Sequence, residues 1–183
     1  IKYYKRMAMK TSSEIDRLVE SANSYAKKHR HKYVTTEHLL WAICTYKQTK
    51  DILTKYGVLV EEMLNDLNHL LKKVETVPGK KDYPLKKTAA LDRLFNRAMT
   101  QTLFSGRDML SVLDIIVSMQ AESNTHSNYL LMKYGVDKEE FINHIKTHHK
   151  QILATKQTDA FYQEILDEYC EDLTKQAEAG QVD

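Results

Sequence analysis

Apolar residues recur every three or four positions along most of this chain, with turn residues between the runs. Ile15, Leu18, Val19, Ala22, Tyr25 and Ala26 share one face of a helix predicted over 13–28. Before it, "TSSE" reads as a capping box in which Thr11 accepts from the backbone and Glu14 reaches back. After a basic loop, "HRHKYV", Thr35 is placed to cap a second helix. Glu37 then falls in its first turn, where the helix dipole favours negative charge. A third helix ends at "KYGV", where Gly57 can take a left-handed conformation without steric cost. A fourth, "VEEMLNDLNHLLKKV", carries Met63, Leu64, Leu67, Leu70 and Leu71 as its apolar stripe. The next stretch, "ETVPGKKDYPLKK", holds Pro78 and Pro84 among four lysines and reads as a solvated linker with turn chemistry.

The pattern then repeats. "LTKYGVLVEEMLNDL" from Leu53 aligns without gaps on "LMKYGVDKEEFINHI" from Leu131, with eight of fifteen positions identical. Upstream, Ile15, Leu18 and Ala22 correspond to Leu91, Leu94 and Ala98, and Thr35 corresponds to Ser111, which opens its own cap with Asp114. Each copy is a four-helix unit of roughly 75 residues, too small to bury its stripes alone, so the two are expected to pack about a pseudo-twofold axis. The expected fold is all-α, with about eight helices. Repeat one covers 12–73, a linker 74–87 and repeat two 88–148. A basic N-terminal extension (1–11) precedes them, and a second linker (149–160) leads to a C-terminal helical segment (161–183).

Composition agrees with this and narrows the function. Gly and Pro number only 5 and 2, and charged residues reach 28%. With 27 basic against 25 acidic residues, the net charge of +2 provides no global field for nucleic acid or an anionic membrane. The linker lysines lack interleaved aromatics, and Trp41 reads as core rather than a stacking platform. No apolar run approaches the roughly 20 residues that span a bilayer. Cys44 and Cys170 make no disulfide framework, which points to a reducing, cytoplasmic setting. P-loop, G-x-S-x-G, H-E-x-x-H and C-x-x-C motifs are all missing, so no catalytic or cofactor site is expected. His29, His31 and His38 are the candidate metal ligands. Zinc needs three or four convergent donors, and a structural role is the preferred reading for this group. The pair His148 and His149 suits a helix C-terminus.

One stretch carries more specific information. "HRHKYVTTEHLLWAI", from His29, resembles the N-terminal domain of ClpA-type AAA+ unfoldases, whose pattern runs H-R-H-x-x-x-T-x-E-H-L-L-x-A. "SGRDMLSVLDIIVSM" and "SNYLLMKYGV" resemble the second-repeat signature of the same domain, and the likeness covers roughly 12–148. That domain is a double four-helix repeat, in agreement with the internal repeat found independently. The closing "LDEYCEDLTKQAEAGQVD" is similar to the start of the family's first ATPase module. Leu166, Tyr169, Asp172, Leu173, Thr174, Ala177, Gly180 and Asp183 match.

The resemblance implies a homohexameric ATPase that threads proteins into the ClpP peptidase, with ATP and magnesium held by modules outside this chain. The chain itself would be monomeric and non-catalytic, without a cofactor, and would dock a ClpS-like adaptor or protein substrates. Adaptor contacts carried over by position are Lys32, Glu37 and Thr88. The ClpA pattern has glutamate where Lys32 stands, a charge reversal that bears on ClpS-type docking. On this reading Glu37→Lys weakens docking and leaves thermal stability nearly unchanged. Two alternatives stand beside it: a natural stand-alone protein of this kind acting as adaptor or decoy, and a small metal-dependent enzyme built on His29, His31 and His38.

Overall fold

The computed structural model describes residues 10–106 and 108–143. The N-terminal extension up to residue 9, Arg107 of the "SGR" stretch, His148, His149, Cys170, the second linker and the C-terminal segment lie outside the described residues.

Helix α1 spans Ser13–Lys28 and buries Ile15, Leu18, Ala22 and Ala26, the predicted face. Its cap differs from the expected one. Ser12, in extended backbone, accepts from the N–H of Ile15 at 3.4 Å. The helix starts one residue too late for Thr11 to serve, and Glu14 falls at the second helical position instead of the third. Thr11 instead donates its hydroxyl to the Asp16 carboxylate at 2.8 Å.

Helices α2 (Thr36–Thr45), α3 (Lys47–Tyr56) and α4 (Val60–Leu71) complete the first repeat. Gly57 ends α3 at φ 106°, as its position predicted. In the second repeat, α5 spans Ala89–Phe104, α6 spans Val112–Gln120 and α7 spans His126–Lys133. An eighth helix, α8, occupies 138–143 at the edge of the described residues. None of the described helices is long and apolar enough to cross a membrane. The repeat-related helices α2 and α6 are buried along most of their length and form the centre of the core, with α1 and α5 packed against them.

Four two-residue strands precede these helices: β1 (Lys10–Thr11), β2 (Tyr33–Val34), β3 (Lys86–Lys87) and β4 (Met109–Leu110). β1 pairs with β4 and β2 with β3, both in parallel. Exchanging the two repeats maps β1 onto β3 and β2 onto β4, so each pair maps onto the other. The same exchange relates the Ser12 N–H bond to Leu110 O and the Thr88 N–H bond to Val34 O. The pseudo-twofold expected from the repeat is therefore written into the backbone hydrogen bonds.

The segment between the repeats is mostly exposed, but it is not a free tether. Its backbone clasps the loop after α1: Lys32 N–H donates to Glu75 O at 2.8 Å, and Val77 N–H donates to Arg30 O at 2.7 Å. Arg30 has φ 55°, in the left-handed region, and its guanidinium donates to Val77 O and Lys81 O at 3.0 and 2.9 Å. The Tyr83 hydroxyl donates to His31 O at 2.7 Å, and Lys27 pairs with Asp82 at 2.9 Å. Composition marked this stretch as solvated because its side chains are polar; the clasp runs mainly through backbone groups, which composition does not register.

Candidate docking site

The three positions proposed from sequence are each engaged in a separate contact. Lys32 and Thr88 lie at opposite ends of the β2–β3 ladder. Lys32 forms an ion pair with Glu75 at 3.2 Å, with the lysine partly and the glutamate largely exposed. This pairing raises its ammonium pKa above the ordinary lysine value, chiefly through the hydrogen bond to Glu75. Thr88 is the N-cap of α5 and accepts from Leu91 N–H at 3.3 Å. Glu37 is engaged by the second repeat. Its Oε1 accepts from the backbone N–H groups of His126 and Ser127 at 3.0 and 3.3 Å, which clamps α2 of the first repeat to the N-terminus of α7 of the second. Beside it the Ser127 hydroxyl bonds the Thr36 hydroxyl at 2.9 Å. An expectation of unchanged stability on Glu37→Lys does not fit this geometry, because the carboxylate bridges the repeats.

The histidines are similarly occupied. Thr35 N–H donates to His38 Nδ1 at 3.0 Å, closing a capping box in which histidine fills the role usually taken by glutamate. That acceptor nitrogen must be bare, so in the neutral ring Nε2 carries the proton and donates to His31 Nδ1 at 2.8 Å. Burial, and to a lesser degree the neighbouring His31 and His29, hold the His38 pKa down at about 3. Burial also lowers that of His31. His29 instead stacks on Tyr25 with centroids 4.2 Å apart and donates from Nδ1 to Tyr25 O. Among the described residues no group of three or more His, Cys, Asp or Glu side chains could hold a metal. Cys44 is buried with its thiol pushed up to about 12 by desolvation, and its Sγ lies 3.6 Å from Met63 Sδ. That environment suits an inert packing thiol.

Among the described residues, one concave feature lies between α1 and α5. A small cavity of about 30 Å³ there is floored by Ile15, Val19, Ala22, Leu39, Leu91 and Phe95. Thr11 and Lys87, Ile15 and Leu91, and Val19 and Phe95 are equivalent positions of the two repeats, so this floor sits on the pseudo-twofold. Through Asp16, Asn23, Val34 and Lys87 it adjoins an open shelf of about 630 Å³, bounded by α1 on one side and by Leu85 and β3 on the other. Sequence reasoning missed this groove. The available signal was the width of the α1 stripe: Val19 extends it beyond what α2 covers and remains half-buried.

The described residues thus form an all-α double repeat with an apolar inter-repeat groove, in which His31, His38 and Cys44 are buried in packing. Its family follows from comparison. The family described as the Clp repeat N-terminal domain matches residues 10–134, and the chain belongs to it. It is 27% identical over 169 residues to the chaperone protein ClpB of Bacillus cereus, covering 90% of this chain and 19% of that protein. It is 25% identical over 139 residues to a ClpA homolog protein of Fuscovulum blasticum, covering 73% and 17%. The chain thus spans less than a fifth of the length of these curated relatives, and the near-equal identities do not separate a ClpA from a ClpB kinship. The N-terminal domain of Hsp104 from Candida albicans shares the fold, with a TM-score of 0.63 at 11% identity, covering 83% of this chain and 97% of that one.

Proposed function

We propose that this chain is the protein-docking domain of a ClpA-like, ATP-driven unfoldase, and that the α1–α5 groove receives apolar segments of adaptors or substrates. The supporting observation is the groove: an apolar floor at the repeat junction that adjoins an open shelf of about 630 Å³. Burying one Val- or Leu-sized anchor contributes about 1.5–3 kcal/mol, so binding through a single anchor is weak and rapidly reversible. Such binding suits a module that raises the local concentration of cargo near a ring and then releases it. On this proposal ATP and magnesium belong to other modules of a cytoplasmic hexamer that feeds ClpP, and this domain contributes recognition alone. Of the three positions carried over from the family, Lys32 is the best adaptor contact. Its bond to Glu75 is solvent-screened and exchangeable, whereas Glu37 and Thr88 also hold the fold together.

The test is an NMR titration of the labelled chain with a short peptide carrying one leucine, against the same peptide with serine in its place. Shifts are expected at Val19, Val34, Leu85 and Phe95 with the leucine peptide only, and Val19→Asp should abolish them. Shifts confined to other surfaces, or equal shifts with the serine peptide, would sink the groove assignment.

A further inference from the structure

The buried histidine pair lines neither the cavity nor the shelf, and it lies at the loop that the inter-repeat segment clasps. His38 is fully buried and His31 nearly so, and the 2.8 Å contact between their rings accommodates one proton. A proton added to His31 Nδ1 would set two N–H groups against each other. A proton added to His38 Nδ1 would expel the Thr35 N–H and break the cap of α2. The surroundings do not welcome a cation. Tyr25 of α1 faces the pair with ring centroids 6.0 and 5.8 Å from His31 and His38, His29 at the C-cap of α1 lies 5.7 Å from His31, and Trp41 of α2 packs on Tyr25. From the inter-repeat segment comes Tyr83, on His31 O, and the flanking loop residues Arg30 and Lys32 are already cationic, with Glu75 engaged by Lys32.

His31 itself carries the clasp. Its backbone forms an isolated antiparallel bridge with Thr76, its carbonyl accepts from Tyr83, and its neighbours Arg30 and Lys32 hold Val77, Glu75 and Lys86. Residues 78–82, Lys86 and Lys87 are exposed, so few apolar contacts back up these bonds. Opening here is therefore cheaper than unfolding the helices. The segment leads directly into Leu85 and β3, one wall of the shelf.

We propose that the His31–His38 pair is an acid-released latch that holds the inter-repeat segment, and with it one wall of the docking groove, in place near neutral pH. The linkage sign follows from the burial. The closed latch holds both rings neutral; in the proposed open form water reaches them and they titrate near the ordinary histidine value of about 6.5, so closure is fully favoured above that pH and weakens as pH falls below it. Between pH 7.5 and 5.5 the closing equilibrium should fall about tenfold for one freed histidine and about a hundredfold for two. The part of the proposal that concerns the groove rests on the function proposed above.

The experiment is amide hydrogen exchange on the whole chain at pH 7.5 and 5.5, corrected for intrinsic rates, with ¹⁵N imidazole spectra recorded in parallel. Protection at Lys32, Val77 and Lys86 is expected to drop at least tenfold while α6 amides hold, with His38 neutral and protonated at Nε2 at neutral pH. In H38Q, where glutamine can keep the capping bond, and in H31Q/H38Q the drop should shrink or vanish. Unchanged protection in the segment, loss in step with α6, or the opposite His38 tautomer would overturn the latch; the last needs no variant to fold. The leucine peptide should bind more weakly at pH 5.5 to wild type but not to H31Q/H38Q. If the segment opens as expected while peptide affinity stays level, the latch stands and the groove reading fails.

Discussion

A lysine at position 37 would place an ammonium against the exposed N–H groups that open α7. In the native protein the Glu37 carboxylate accepts from His126 and Ser127 at 3.0 and 3.3 Å, at the end of the helix where the backbone dipole is positive. Loss of a cap-like acceptor costs about 1 kcal/mol when water can partly replace it, as at this half-buried position. Reversing the charge at a helix N-terminus adds roughly 0.5–1 kcal/mol. Glu37→Lys should therefore destabilise the domain by about 2 kcal/mol, and Glu37→Gln, which keeps an acceptor, by about half as much. For a domain of this size about 2 kcal/mol lowers Tm by roughly 4–8 °C. Thermal melts followed by circular dichroism at pH 7 and low salt read this directly. Faster exchange at the His126 and Ser127 amides would localise the effect to the clamp. A Glu37→Lys melt within 1 °C of wild type would refute the reasoning and return Glu37 to the role of a plain adaptor contact.

Two further predictions concern positions remote from the groove. The Glu122 side chain is 6% exposed and receives Arg93 and Arg97, the latter at 2.7 Å. Desolvation pushes its pKa up, but the two arginine hydrogen bonds outweigh it and leave the net shift downward. Its stabilisation is therefore present above about pH 4.5 and lost as pH falls lower. Glu122→Gln should cost about 2 kcal/mol at pH 7 by urea denaturation, less than a fully buried pair because Arg93 is well exposed, and the difference should close in acid. Gly57 and Gly135 hold φ 106° and 82° at equivalent turns of the two repeats, with nothing within 4 Å of where a Cβ would stand. Alanine at either should cost about 1–2 kcal/mol through backbone strain alone, and the two losses should add in the double variant.

Much of the scaffold was legible from pattern, for a local reason. The α1 face, the Thr35 and Ser111 caps, the Gly57 turn and the repeat itself depend on groups within one or two helical turns of each other, whose geometry the backbone imposes. The one local error, Thr11 in place of Ser12, was a one-residue shift of a helix start. Two hydroxyls stand side by side there, and Thr11 is taken up by the β1–β4 pairing while Ser12 caps. The candidate site was less legible. Lys32, Glu37 and Thr88 could be placed on their elements, but not the α7 N-terminus that Glu37 reaches 89 residues away.

By itself, then, the sequence determined an all-α double repeat, most of the helix ends it marked and its family, since periodicity and capping are short-range properties that survive without knowledge of neighbours. Only the tertiary structure decided that the linker is clasped, that the His31 and His38 rings meet in the core, that Glu37 bridges the repeats, and that Val19 and Phe95 line one groove. Those outcomes depend on how the two repeats pack about their axis. That packing juxtaposes groups far apart in the chain and turns polar residues that look free into committed partners.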